Sequence, residues 1–108
     1  GAEADILIDV GYPSVFNNEK LNEAVVELAG KYHNPQNILT TEVRMGAEDF
    51  GFYTQQIPGC FYRIGTKNEA LGITSGVHTS TFNIDETAIK TGIGLMAWLG
   101  ANINYRED

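Results

Sequence analysis

Two long helical apolar patterns, separated by short runs of β-type residues, limit most sharply what this chain can fold into. In the first pattern, Leu21, Ala24, Val25, Leu28, Ala29 and Tyr32 recur at i, i+3, i+4, i+7, i+8 and i+11. That is the spacing of one buried helix face. Asn17 and Asn18 offer an N-cap, and Glu19 puts an acid in the first turn. Gly30 and Asn34-Pro35 mark the end. In the second pattern, Ile89, Ile93, Met96, Leu99-Gly100 and Ile103 form the expected buried stripe, and Trp98 lies off it, over an edge. Asn83 and Glu86 stand three apart as in a capping box, with Asp85 as the other candidate cap.

The runs between and before these helices read as strands. Asp5 to Val10 carries Ile6, Ile8 and Val10 on one face, and Pro13 stops it. Ile38 to Val43 is the second strand candidate; Cys60 to Gly65, short and aromatic, is the third. Met45 to Phe50 turns into a short helix carrying Phe50 and Tyr53, ended by Pro58-Gly59. Thr66 to Gly76 is a polar, glycine-containing loop, expected to be exposed. The order β-α-β-α-β-loop-α predicts an α/β fold, a mixed sheet with helices packed on it.

Charge narrows the partners. Seven Lys+Arg against 14 Asp+Glu give a formal charge of −7, which argues against nucleic acid and anionic membrane, both polyanions. The most apolar run, Ile93 to Ile103, is about half as long as a membrane span. Cys60 is the only cysteine, so no intrachain disulfide framework exists. Nothing points to an oxidising compartment, and a cytoplasmic location is expected. In its apolar run Cys60 reads as a buried, inert thiol. The 108 residues suffice for one domain or a piece of one. Because the chain enters a strand almost at once after Gly1-Ala2-Glu3, it reads as part of a longer protein.

His78 leads the residues that could carry chemistry. Neutral imidazole is a common ligand for catalytic metals. His78 follows a glycine-containing loop and precedes a capped helix, so its backbone is expected to be fixed, although a lone histidine there is more often a surface or structural residue. Glu48 and Asp49, at the start of the short helix, serve either its dipole or a pocket that orients a polar group. His33 ends the first helix, where the dipole favours an imidazolium. A hydrolytic metal site needs at least three protein ligands. Two histidines on different elements, with no His-x-x-x-His or His-x-Asp pair, cannot complete one. No catalytic nucleophile is evident; phosphate-binding glycine motifs and a Gly-x-Ser-x-Gly elbow are absent.

Three separated blocks resemble consecutive blocks of the M20 metallopeptidase family, most closely its amidohydrolase branch of N-acyl-L-amino acid amidohydrolases, hippurate hydrolases and auxin-conjugate hydrolases. They are Met45-Gly46-Ala47-Glu48-Asp49-Phe50-Gly51-Phe52-Tyr53, Ile57-Pro58-Gly59-Cys60-Phe61-Tyr62-Arg63-Ile64-Gly65 and Val77-His78-Thr79-Ser80-Thr81-Phe82-Asn83-Ile84-Asp85-Glu86. Gly11-Tyr12-Pro13 resembles the point where that family's lid domain returns to its catalytic domain. The resemblance implies that residues 1–14 end the lid or dimerisation domain and that residues 15–108 close a zinc-peptidase-like catalytic domain. It further implies that His78 is a metal ligand and that Glu48, Asp49 and Phe50 line the substrate pocket. Two divalent ions (zinc, manganese or cobalt) are then expected in the longer parent, with none held by this chain alone. Family members usually carry Ser-Pro at Thr79-Ser80 and often Asp at Asn83.

Two functions follow as expectations. In one, the chain is part of a homo-oligomeric, metal-dependent amidohydrolase acting on N-acyl amino acids or short peptides, and is inactive alone. In the other, it is a small acidic α/β binding or assembly module presenting Tyr12, Tyr62 and Trp98. Uncovered strand edges would make an isolated piece self-associate.

Overall fold

The computed structural model describes residues 1–104. Helix α1 runs Glu19–Tyr32, α2 is the short Phe50–Thr54, and α3 runs Thr87–Asn102. Two single 3₁₀ turns, Pro35–Asn37 and Glu69–Leu71, lie in the connections.

Helix α1 forms where its apolar spacing predicts. Asn18 is extended, and its side chain accepts a hydrogen bond from the Leu21 amide at 3.0 Å, satisfying one of the amides a helix start leaves open. Gly30 lies inside the helix rather than at its end; the chain leaves at His33, and Pro35 packs beside Gly30. The buried face falls on Val25 and Ala29, and it packs on α3, where Leu99 is buried. Trp98 belongs to this interface and not to an edge. Its indole N–H donates to the Leu28 carbonyl at 2.9 Å, and its ring lies 6.3 Å from that of Tyr32. Gly94 permits the approach, since a Cβ there would collide with the Tyr32 hydroxyl.

The stripe expected on α3 faces the core only at Leu99, which is buried; Ile89, Ile93 and Met96 are 51%, 69% and 62% exposed. The helix is turned so that Leu95, Trp98 and Leu99 lie toward α1. Both stripes fit a 3.6-residue period in so apolar a segment, and the indole contact with α1 goes with the second. Its start is held by Asp85, whose Oδ1 accepts from the Thr87 amide at 3.0 Å. Asn83 bonds instead to the next residue, Ile84, and Glu86 makes no side-chain cap.

The α/β expectation is overturned. Among the described residues there is no strand and no sheet, only an isolated antiparallel bridge between Asn68 and Ile73. The segments 5–10, 38–43 and 60–65 carry β-type residues, but a strand's hydrogen bonds come from a neighbour in a ladder, whereas a helix supplies its own. With no ladder partner, Leu7, Val10 and Val43 stand 94%, 90% and 92% exposed. The chain is open in consequence. It presents 9386 Å² to solvent, where a compact monomer of this mass presents about 5900 Å². Its radius of gyration is 18.2 Å, against about 13 Å for a compact domain of this length. Of the three aromatics assigned to a binding module, Tyr12 is exposed, while Tyr62 and Trp98 are half-buried. No helix of the described residues is long and apolar enough to cross a membrane.

The third β-type segment is tied to the start of α1 by asparagine. Asn17 Oδ1 accepts from the Phe61 amide at 2.7 Å, and its Nδ2 donates to the Phe61 carbonyl at 3.0 Å. The Asn18 amide donates to the Gly59 carbonyl at 2.9 Å. The last predicted segment, 15–108, extends past the described residues at 105–108.

Candidate functional site

His78 sits in a turn at φ +64°, the one non-glycine residue in the left-handed region among those described. Left-handed backbone costs an L-residue about 1 kcal/mol, and histidine tolerates it better than β-branched residues do. Such conformations cluster at binding and catalytic sites, where the surrounding chain enforces them. Here the enforcement is local. Thr79 Oγ1 donates to the Gly76 carbonyl at 2.8 Å, the Ser75 and Thr81 hydroxyls lie 2.8 Å apart, and the Phe82 amide donates to the Thr79 carbonyl at 3.1 Å. The imidazole is exposed and has no hydrogen-bond or ion-pair partner among the described residues.

The three pocket candidates lie together at the start of α2. Glu48 is half-buried, and its Oε1 accepts from the Phe50 amide at 3.3 Å. It does the capping work that Asp49, exposed and at the N-cap position, does not. The helix-dipole reading of this acidic pair therefore has a bond behind it. Phe50 stacks between Tyr53 and Phe61 at centroid distances of 5.9 and 5.4 Å. Gly51 is buried against Pro13, where a Cβ would collide with the Pro13 carbonyl oxygen. No hydrogen bond or ion pair joins Glu48, Asp49 or Phe50 to His78.

A groove of about 340 Å³ lies elsewhere, lined among others by Tyr32, His33, Arg63, Lys67, Asp85 and Thr91. It contains none of His78, Glu48, Asp49 or Phe50. Spacing along the chain gave no hint of it, because α1, α3 and residues 63–65 contribute together.

Asp85 has the most engaged carboxylate. Asn68 Nδ2 donates to its Oδ2 at 2.6 Å; the Thr87 hydroxyl and amide donate to its Oδ1 at 2.7 and 3.0 Å. The Asn68 bond first, then those from Thr87, hold its carboxyl below the usual carboxylate range. Cys60 is half-buried, and its thiol donates to Asn22 Oδ1 at 3.4 Å. Burial pushes that thiol up, which keeps it protonated and unreactive.

No group of three His, Cys, Asp or Glu side chains able to hold a metal occurs among the described residues. By its chemistry the donor set fits a catalytic metal as one ligand: an accessible imidazole whose ring nitrogens have no competing partner. A catalytic metal held by it would need its other ligands from outside these residues.

Known proteins resemble this chain over nearly its whole length. The profile of peptidase family M20/M25/M40 matches residues 2–100. Thermostable carboxypeptidase 1 of Saccharolobus solfataricus is 33% identical over 90 residues, covering 83% of this chain and 22% of that protein. IAA-amino acid hydrolase ILR1-like 6 of Arabidopsis thaliana is 37% identical over 90 residues, 80% of this chain and 18% of its own length. YhaA of Bacillus subtilis is 31% identical over 107 residues, 99% of this chain and 26% of its own. No solved structure matches significantly. The chain spans about a fifth to a quarter of the length of these curated relatives. With residues 2–100 matched, including His78 and the Glu48-Asp49-Phe50 block, the chain belongs to peptidase family M20/M25/M40.

Proposed function

We propose that this chain is the closing part of a metal-dependent hydrolase that cleaves the amide bond of N-acyl amino acids or short peptides. The observation that carries the reading is His78. It is exposed, held left-handed by its own turn, unpartnered at the ring, and inside the stretch matched to the family. The substrate class is supported by the relatives' names, a carboxypeptidase and a hydrolase of an IAA-amino acid.

On this reading residues 1–14 end a lid domain and residues 15–108 the catalytic domain. His78 gives one neutral imidazole nitrogen to one of two divalent ions (zinc, manganese or cobalt). Such ions, when bound, supply a water acidic enough to attack a carbonyl near neutral pH. Phe50, half-buried among aromatic rings, offers an apolar wall for an acyl group. Asp49, exposed and free of a capping bond, orients a polar substrate group. Glu48, bonded to the Phe50 amide, holds that short helix start in place. The other ligands and the proton-accepting base lie in the rest of the protein, so the 108 residues alone are inactive. The lone free thiol suits a cytoplasmic setting. The exposed apolar side chains at 5–10 suit contact with the parent or with a second copy.

The test is hydrolysis of a panel of N-acyl amino acids by the full-length protein before and after removal of metal with a chelator. Loss of turnover on chelation and recovery with added zinc, manganese or cobalt is expected. Turnover indifferent to chelation would refute the reading.

A further inference from the structure

The turn that carries His78 belongs to a length of chain whose two ends are joined by one side-chain pair. Asn68, just inside the start, donates from Nδ2 to Asp85 Oδ2 at 2.6 Å across a separation of 17 residues. Beside it the Asp85 amide donates to the Thr66 carbonyl at 2.9 Å. The other carboxylate oxygen of Asp85 holds the Thr87 amide and hydroxyl, so the same residue seats the junction on the first turn of α3. Asn68 is fixed from its own side. Its backbone exchanges two hydrogen bonds with Ile73, each 2.9 Å, and its Oδ1 accepts from the Leu71 amide at 3.3 Å. Between these anchors, every hydrogen bond of residues 75–84 stays within that stretch among the described residues. The His78 turn is thus internally shaped, and its hydrogen bonds reach the rest of the chain only through its ends.

We propose that the Asn68–Asp85 pair is a positioning device for His78, and that neither residue touches metal or substrate. The inference rests on the reading of His78 as a metal ligand. Its physical content is loop closure. With the ends clamped, the turn is presented at one place relative to α3. Unclamped, a segment of this length samples many placements, and each binding event must recover the lost order. Residues hydrogen-bonded to a metal ligand typically change affinity 10–100-fold when replaced, and a clamp that acts through the chain belongs at the low end of that range.

The geometry supplies its own control. Exchanging the two side chains, Asn68→Asp with Asp85→Asn, reverses donor and acceptor in the bond between them and keeps the direction of the bonds from Leu71 and Thr87. The new aspartate can accept from the Leu71 amide and from the new asparagine's Nδ2, whose Oδ1 can still accept from Thr87. Asn68→Ala alone removes the side-chain bond and leaves the Asp85 cap on α3 in place, and Asp85→Asn alone leaves one acceptor oxygen where two served, so that either the bond from Asn68 or those from Thr87 are lost.

The experiment is zinc affinity in the full-length protein, measured by competition with a chromophoric chelator, with thermal melts beside it. Asn68→Ala and Asp85→Asn are each expected to weaken zinc binding about 10-fold, and the exchanged pair to return it to within about 2-fold of the parent. His78→Ala separates the two levels. If it leaves zinc affinity unchanged, His78 is not a ligand, and both the functional reading and this inference fall. If it weakens zinc binding while the Asn68 and Asp85 variants do not, the positioning role alone is overturned. Single variants that lose affinity without recovery in the exchanged pair also overturn it, because the loss is then not carried by that bond.

Discussion

Replacing Asn17 with alanine tests whether a single side chain does the work of a strand neighbour. Asn17 bonds both backbone groups of Phe61, at 2.7 and 3.0 Å, over a separation of 44 residues, and no residue of the described chain offers a ladder in its place. A net hydrogen bond contributes about 1 kcal/mol, and a donor left unpaired in a half-buried setting costs more than the bond itself. Alanine should therefore destabilise by about 2 kcal/mol. Aspartate is the sharper variant. It keeps an acceptor for the Phe61 amide but turns a carboxylate toward the Phe61 carbonyl and Asn22 Oδ1, where Nδ2 now donates. It should be no more stable than alanine. Urea unfolding read by Trp98 fluorescence, with hydrogen exchange at the Phe61 amide, measures both. A loss under about 0.5 kcal/mol for alanine, or an aspartate variant as stable as the parent, would refute the reasoning.

Other outcomes follow from the same contacts. Gly51→Ala should destabilise by about 1–3 kcal/mol despite alanine's helix preference, because its Cβ collides with the Pro13 carbonyl; Gly100→Ala, with open space around it, should stabilise by about 0.5–1 kcal/mol. Chemical denaturation of both resolves the difference in sign. Asp85, depressed in the folded chain, contributes stability that is present above its unfolded value and lost as pH falls through its folded one. Carboxyl NMR should place its midpoint below the ordinary aspartate range in the parent and closer to it in Asn68→Ala. Cys60 should alkylate more slowly in the folded chain than in urea, because burial raises its pKa and shields it.

The sequence made some of this legible and hid the rest for identifiable reasons. Helix α1 and its Asn18 cap were readable because spacing and cap are both local properties. The position of α3 was readable, but its buried face was so only in part. Leu99 was readable, but Ile89, Ile93 and Met96 match the helical period beside it as well as Leu95 and Trp98 do, and the choice lies in a contact with Leu28 far away in sequence. The three β-type runs show the limit most plainly: residue preference proposes a strand, but the bonds that make one belong to a partner. The same holds at the site. His78 stood out by type and by neighbours, whereas its left-handed backbone, the Asn68–Asp85 clamp and the bond from Phe50 to Glu48 depend on geometry that no spacing encodes.

Metal content of the full-length protein and its His78→Ala variant bears most directly on the central claim, that His78 is one arm of a metal site completed by the rest of the protein. Both should be purified alike and analysed by elemental mass spectrometry beside amide-hydrolysis rates. The parent is expected to carry two divalent ions, and the variant to lose at least one together with nearly all turnover. Undiminished metal and undiminished hydrolysis in the variant would contradict it.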